Sequence, residues 1–301
     1  PEQRAAMLKV TIEAATKALD RPMRQSFALN EELLQVAEST VPLAPIVQPP
    51  FWGVIEPTDF TLADVWPHLD TKTLFRLHWG GKGVKDDEWV TLLRDEFYPR
   101  LHAMQAEAEA TGWLEPRVRY GYFPVNRDGN DVIFFDPADP EKEVGRMTFP
   151  RQPARERLCL ADYFAPLEVG ERDTAVLQIV TAGKKATARI DEMQARGDYS
   201  ESYFSHGLSV QTAEGLAEYV HQRVRAEMGI GPETGKRYSW GYPACPDLSH
   251  HELVTTLLAS ESIGIQLTDG YQFDPEQTTA AIVVHHPYAK YYAMLRAGGE
   301  E

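Results

Sequence analysis

The run VRYGYFPVNRDGNDVIFF, residues 118–135, constrains the fold more than any other stretch. Two strand-like segments, 118–125 and 131–135, flank NRDGN, and Asp128-Gly129 has the composition of a hairpin turn because glycine tolerates positive φ. A hairpin makes sequential strands antiparallel, and nothing downstream restores a regular strand-helix alternation. TAVLQIVTAG (174–183), IGIQL (263–267) and TTAAIVVHH (278–286) read as further strands, the last apolar and β-branched enough to be central. Helical patterning occupies 88–111 through Leu92, Leu93, Phe97, Leu101, Met104 and Ala108, with Pro99 as a kink and Gly112 as the stop. It returns over 184–228, in the amphipathic TAEGLAEYVHQRVRAEM closed by GIGPETG, and briefly in HELVTTLLAS. The expected class is α+β, a central antiparallel sheet flanked by helices, and not a doubly wound Rossmann fold.

The 301 residues, 43% apolar, suffice for one large domain or two ordinary ones. Residues 2–19, EQRAAMLKVTIEAATKAL, place Ala5, Leu8, Ile12, Ala15 and Leu19 at helical spacing. VPLAPIVQPPFWG (41–53) then puts four prolines among thirteen residues, which forbids regular helix and reads as an extended connector. The organisation expected is an N-terminal helical segment and proline-rich linker over 1–48 and a main domain over 49–301, with VPLAPIVQPP as a flexible hinge. The start PEQRAAML lacks an initiator methionine, and the expectation is a fragment of a longer chain. A net charge of −15 argues against broad nucleic-acid binding, which needs a basic surface. No window approaches 18 uninterrupted apolar residues and no signal-peptide pattern opens the chain, so no membrane partner and a cytoplasmic location are expected. Two cysteines, Cys159 and Cys245, are too few for a disulfide framework and are expected to stay reduced.

The glycine clusters HWGGKG (78–83) and GIGPETG (229–235) lack the spacing of a P-loop and the strand-to-helix setting of a dinucleotide fingerprint, and both read as turns. Cys245, His250 and His251, with the pair His285-His286, tempt a zinc assignment, but the adjacent histidines point to opposite faces of a strand. Nothing fixes a base near Cys245, so a packed thiol is the simpler reading. What remains suits a small zwitterion. It centres on RYSWGYPACPDLSHH (237–251), a stretch with little periodicity that promises a poor piece of core. Arg237 can grip a carboxylate through two parallel hydrogen bonds, and Gly241 leaves backbone open to a nucleobase. Trp240 and Tyr242 can stack on a ring. Asp70 and Glu214 can receive an ammonium, and Tyr291-Tyr292 can donate hydroxyls or cover a ring face. Each has a plainer role as ion pair, helix cap, first-turn acid or core edge.

The string R-x-x-x-G-Y-P-A-C-P, Arg237 to Pro246, resembles the signature of the reactivation domain of cobalamin-dependent methionine synthases. HLDTKTLF around Asp70, GYFPVNRDGNDV, CLADYFAP, AEGLAEYVHQRVR and HHPYAKYYA resemble that domain in the same order, over about residues 50 to 295. The resemblance implies a C-shaped single domain that binds S-adenosylmethionine without a nucleotide-binding fold. In that family a neighbouring domain of the same polypeptide carries cobalamin, which occasionally oxidises to inactive cob(II)alamin. Flavodoxin or a related reductase supplies an electron, and S-adenosylmethionine methylates the cob(I) form to methylcobalamin. Zinc belongs to other parts of the full methyltransferase. Matched onto the family, Arg237 holds the ligand carboxylate and Asp70 its amino group, while Glu214, Gly241, Tyr242, Tyr291 and Tyr292 line the site; no catalytic acid or base is implied. HLDTKTLF departs from more aromatic surroundings in the family, and the helical stretch ahead of residue 50 is unlike it. The other readings are a stand-alone S-adenosylmethionine-binding regulatory protein without methyl transfer, and an unrelated enzyme using Cys245 or zinc.

Overall fold

The computed structural model describes residues 33–153 and 156–294, so the helix expected over 2–19 lies outside the described residues. A short strand, β1 (Gly53–Ile55), leads into a helical layer of α1 (Leu62–Val65), α2 (Thr71–Thr73), α3 (Asp86–Leu92) and α4 (Tyr98–Thr111). A π turn over Leu93–Phe97 separates α3 from α4. It sits where Pro99, in the first turn of α4, lacks an N–H and would crowd the carbonyl four residues earlier. Gly112 ends the helix at φ 66°, in the left-handed region that glycine enters without strain.

The hairpin of β2 (Arg117–Asp128) and β3 (Asp131–Asp136) forms as its sequence dictates, with its turn one residue later than expected. Asp128 pairs with Asp131, leaving Gly129 and Asn130 as the central residues, and only Gly129 takes positive φ, as a type II′ turn requires. Then follow β4 (Asp139–Thr148), β5 (Asp173–Thr181), α5 (Lys184–Ala195), the long α6 (Tyr199–Glu227), β6 (Lys236–Ser239), α7 (His251–Leu258), β7 (Gln266–Leu267), β8 (Phe273–Asp274) and β9 (Thr278–Val284). IGIQL contributes only Gln266 and Leu267 to a strand, because Ser260–Ile263 close a 3₁₀ turn that Gly264 ends at φ 80°.

The main sheet runs β4-β3-β2-β5-β9-β6, with β1 also against β2, and all its ladders are antiparallel. The fold is therefore α+β, and the apolar β9 lies inside the sheet between β5 and β6 as its composition predicts. Strand alternation divides the core in two. Val176 and Val180 of β5 pack with Leu216, Ala217, Val220 and Val224 of α6 on one face. Ala175, Leu177 and Ile179 pack with Val254 and Leu258 of α7 on the other. A third cluster, around Trp79, Phe97 and Phe204, joins α6 to the helical layer.

The proline-rich segment is extended, but it is fastened rather than loose. Its Pro42 carbonyl lies 3.0 Å from His286 Nε2, the Thr174 hydroxyl donates to the Val47 carbonyl at 2.9 Å, and Phe51 and Trp52 pack against the α6 side of the core. Just ahead of it, Leu33 and Leu34 offer their carbonyls to the Arg151 amide and the Asn130 side chain. At these points the segment packs on the domain, where its sequence suggested a free connector.

A buried ion pair locks the loop after β4 against the hairpin. Arg151, 1% exposed, donates to both carboxylate oxygens of Asp162 at 2.6 and 2.8 Å and to Asn130 Oδ1 at 3.0 Å. Removing one partner leaves the other charged and buried without compensation. Asp162→Ala is expected to lose about 3–5 kcal/mol of stability, measured by urea unfolding; an unchanged midpoint would deny the pair this role.

Candidate functional site

The site is assembled where α6 faces β6, the last strand of the sheet. Gly235 opens β6 at φ 75°, and a Cβ there would run into the carbonyl of Val284. The chain can cross so close to β9 only because residue 235 has no side chain. From that start, alternation sends Tyr238 and Trp240 into the core shared with α7 and turns Arg237, paired with Val283, towards α6.

The stretch 237–251 is accordingly better core than its periodicity promised: Tyr238, Trp240, Ala244 and Cys245 are all buried. Trp240 donates its indole N–H to His250 Nδ1 at 3.2 Å, so it is a packed side chain and not the stacking face expected of it. After it, Gly241 at φ 85° donates to the Cys245 carbonyl, and the Cys245 amide donates to that of Tyr242. This tight loop leaves Tyr242 67% exposed.

Arg237 is mostly buried, its side chain 15% exposed. Its Nη2 lies 3.5 Å from Glu214 Oε2, while Nη1 is buried with no hydrogen-bond partner among the described residues. A buried guanidinium nitrogen left over in this way is costly unless a ligand or solvent group meets it. The Tyr291 hydroxyl donates to the Arg237 carbonyl at 3.0 Å, and its ring meets that of Tyr238 edge-on at 5.5 Å. The paired tyrosines thus divide: Tyr291 is exposed at the mouth, whereas Tyr292 packs against the core with its hydroxyl buried and unpartnered.

Asp70 caps α2, accepting from the Thr73 hydroxyl at 2.5 Å and the Thr73 amide at 2.9 Å, and these bonds hold its carboxyl below the usual range. The residues just before it, His68 and Leu69, lie against Gly215, whose added Cβ would sit 3.2 Å from Leu69 Cδ2. The chain beside Asp70 thus packs on the turn of α6 that carries Glu214, and among the described residues Asp70 itself bonds to Thr73 and not to Glu214 or Arg237. Arg237, Glu214 and Tyr291 come together directly, and Gly241 and Tyr242 follow at the end of β6.

Two further residues, Glu218 and His221, escaped sequence reasoning. Glu214, Glu218, His221 and Arg225 recur at helical spacing along one side of α6, and that spacing was the signal. A cleft of about 610 Å³ opens beside them, lined by Glu218, His221, Arg225, Lys236 and Tyr291 among others. Burial alone would raise the Glu218 carboxyl, but His221 at 3.6 Å and the Arg237 charge bring it below its ordinary value. Burial lowers the His221 imidazole.

The zinc and nucleophile candidates are engaged elsewhere. Cys245 Sγ donates to the Ser239 carbonyl at 2.8 Å, His251 Nδ1 lies 2.8 Å from the Tyr271 carbonyl, and His285 faces Asp173 at 3.3 Å. No group of three metal-ligating side chains occurs among the described residues. In HWGGKG, a Cβ on Gly81 would lie 2.6 Å from the Phe75 carbonyl, so that glycine answers to packing.

Comparison with known proteins gives a consistent picture. The family model described as the vitamin B12 dependent methionine synthase activation domain matches residues 61–301. Methionine synthase of Mycobacterium tuberculosis is 33% identical over 318 aligned positions, covering 96% of this chain and 26% of that protein. Methionine synthase of Mycobacterium leprae is 34% identical over 272, covering 81% and 23%. The chain therefore spans about a quarter of the length of these relatives. A crystal structure of the MetH reactivation domain bound to AdoHcy matches with a TM-score of 0.73 at 25% identity, covering 89% of this chain and 86% of that one.

Burial pushes the Cys159 thiol up to about 12 and raises that of Cys245 as well, so neither forms thiolate at pH 8 in the folded state. Iodoacetamide at pH 8 is expected to leave both unmodified until denaturant is added, as read by mass spectrometry; rapid alkylation of native Cys245 would reopen its candidacy as a nucleophile.

Proposed function

The chain belongs to the family of vitamin B12-dependent methionine synthase activation domains, and from that membership we propose that it binds S-adenosylmethionine between α6 and β6 and presents the sulfonium methyl to a corrinoid held on another domain of the same polypeptide. The observation that carries this reading is Arg237, a buried guanidinium with one nitrogen unpartnered, beside Glu214 and Tyr291. The MetH reactivation domain of similar fold binds AdoHcy, the demethylated counterpart of the proposed ligand.

The residues fit the ligand part by part. Arg237 takes the carboxylate through its free Nη1, and the carboxylates of Glu214 and Asp70 take the ammonium. The Gly241 loop lets the nucleobase approach backbone, Tyr242 offers an exposed ring for stacking, and Tyr291 covers the amino-acid end. Tyr292 supports that cover from inside the core. The corrinoid supplies the methyl acceptor, and this chain's residues bind and orient the donor. A methyl leaving a sulfonium requires no proton transfer, so the work asked of the protein in this reading is positioning, and the reading calls for no general base.

As part of a larger methionine synthase, the chain would act in returning oxidised cobalamin to service, with flavodoxin or a related reductase as electron donor. The methyl transferase activity resides in the assembled enzyme, and zinc lies outside this chain. A cytoplasmic location accords with this role, and no helix among the described residues is long and apolar enough to cross a membrane.

Arg237→Ala removes a charge-assisted contact worth about 1.5–3 kcal/mol, so affinity for S-adenosylmethionine is expected to fall about ten- to a hundredfold in calorimetric titration. Unchanged affinity would refute the assignment.

A further inference from the structure

His221, like Arg237, carries a buried nitrogen without a partner among the described residues. It is 3% exposed, it lines the cleft beside α6, and its Nε2 has no hydrogen-bond partner among the described residues. Its Nδ1 lies 3.6 Å from Glu218 Oε2, too far for a hydrogen bond but close enough to orient the ring. Two turns separate it from Glu214 on the same side of α6, and it lies within electrostatic reach of Arg237.

Buried polar nitrogens are rarely left unpaired, and two occur here on facing elements, Arg237 Nη1 from β6 and His221 Nε2 from α6. Both the Nε2–H tautomer and the imidazolium make Nε2 a donor. A group with two acceptor oxygens on one carbon can offer one oxygen to each nitrogen, and a carboxylate is such a group.

We propose that His221 is a second binding residue for the carboxylate of the amino-acid-tailed ligand, completing from α6 the grip that Arg237 begins from β6. The inference rests on the S-adenosylmethionine reading above and adds to it a residue that decides between ligands with and without that carboxylate. The guanidinium and the imidazole then hold different oxygens. The amino-acid tail is fixed in direction as well as place, and the sulfonium methyl at its other end with it.

The test is calorimetric titration of the purified chain, wild type and His221→Ala, with S-adenosylmethionine and with decarboxylated S-adenosylmethionine, which keeps the sulfonium, ammonium and nucleoside. The expected result is that His221→Ala loses about tenfold in affinity for S-adenosylmethionine and less than about twofold for the decarboxylated ligand. His221→Gln, whose amide N–H reaches a similar position, should recover part of the loss, and it serves as the reading if His221→Ala fails to fold. An equal loss for both ligands would mean that His221 only shapes the helix, and no loss for either would mean that it makes no contact; each overturns the proposal while leaving the ligand assignment intact. Failure of the wild-type chain to bind S-adenosylmethionine would overturn both.

Discussion

The structure depends first on how closely α6 can lie across the sheet and the helical layer. Its small residues permit the approach: a Cβ on Gly207 would fall 2.9 Å from the ring of Trp79, and Ala217 and Gly215 leave room for the sheet and for Leu69. Gln178, a polar residue in the middle of β5, gives its amide to the Ala217 carbonyl at 3.1 Å and so ties the strand to the helix. Once α6 is fixed at that depth, its face carrying Glu214, Glu218 and His221 has one place to look, towards β6. The site follows from packing decided elsewhere.

The chemistry available there is that of a holder. An arginine with a spare donor, the carboxylates of Glu214 and Glu218 one turn apart, and a tyrosine at the mouth make opposite charges available over a short span, which suits a zwitterion and poorly suits a phosphate. The glycine-rich turns that attract attention in the sequence serve the backbone instead. Gly235 allows β6 to leave beside Val284, and the carbonyls of Thr234 and Gly235 accept from Arg225 rather than turning amides outward to an anion.

Much of the fold was legible because it rests on local rules. Strand alternation in 118–135 gave the hairpin, the apolar run 278–284 gave an interior strand, and Gly112 ended its helix as written. The turn was displaced by one residue because register is set by cross-strand partners, here Asp128 with Asp131, and not by composition alone. What could not be read were features that depend on distant partners. Trp240 looked like a stacking face because nothing in the sequence announces that α7 will bury it, whereas Cys245 reads as a packed thiol and is buried as one. The prolines of 41–53 specified an extended backbone correctly, but the contacts of Val47 with Thr174 and Pro42 with His286 span more than a hundred residues. His221 passed as one more polar residue on an amphipathic helix until the sheet edge facing it was known.

The place of Tyr291 has a consequence for solubility. Strand β6 ends the sheet, and such a border invites the border of another molecule to pair with it. Here the phenol of Tyr291 already occupies the Arg237 carbonyl, and the Tyr238 phenol reaches the Lys290 carbonyl, so the segment after β9 lies along that border like a hem. Tyr291, proposed to close over a small molecule, thereby also covers part of an edge to which another copy could pair.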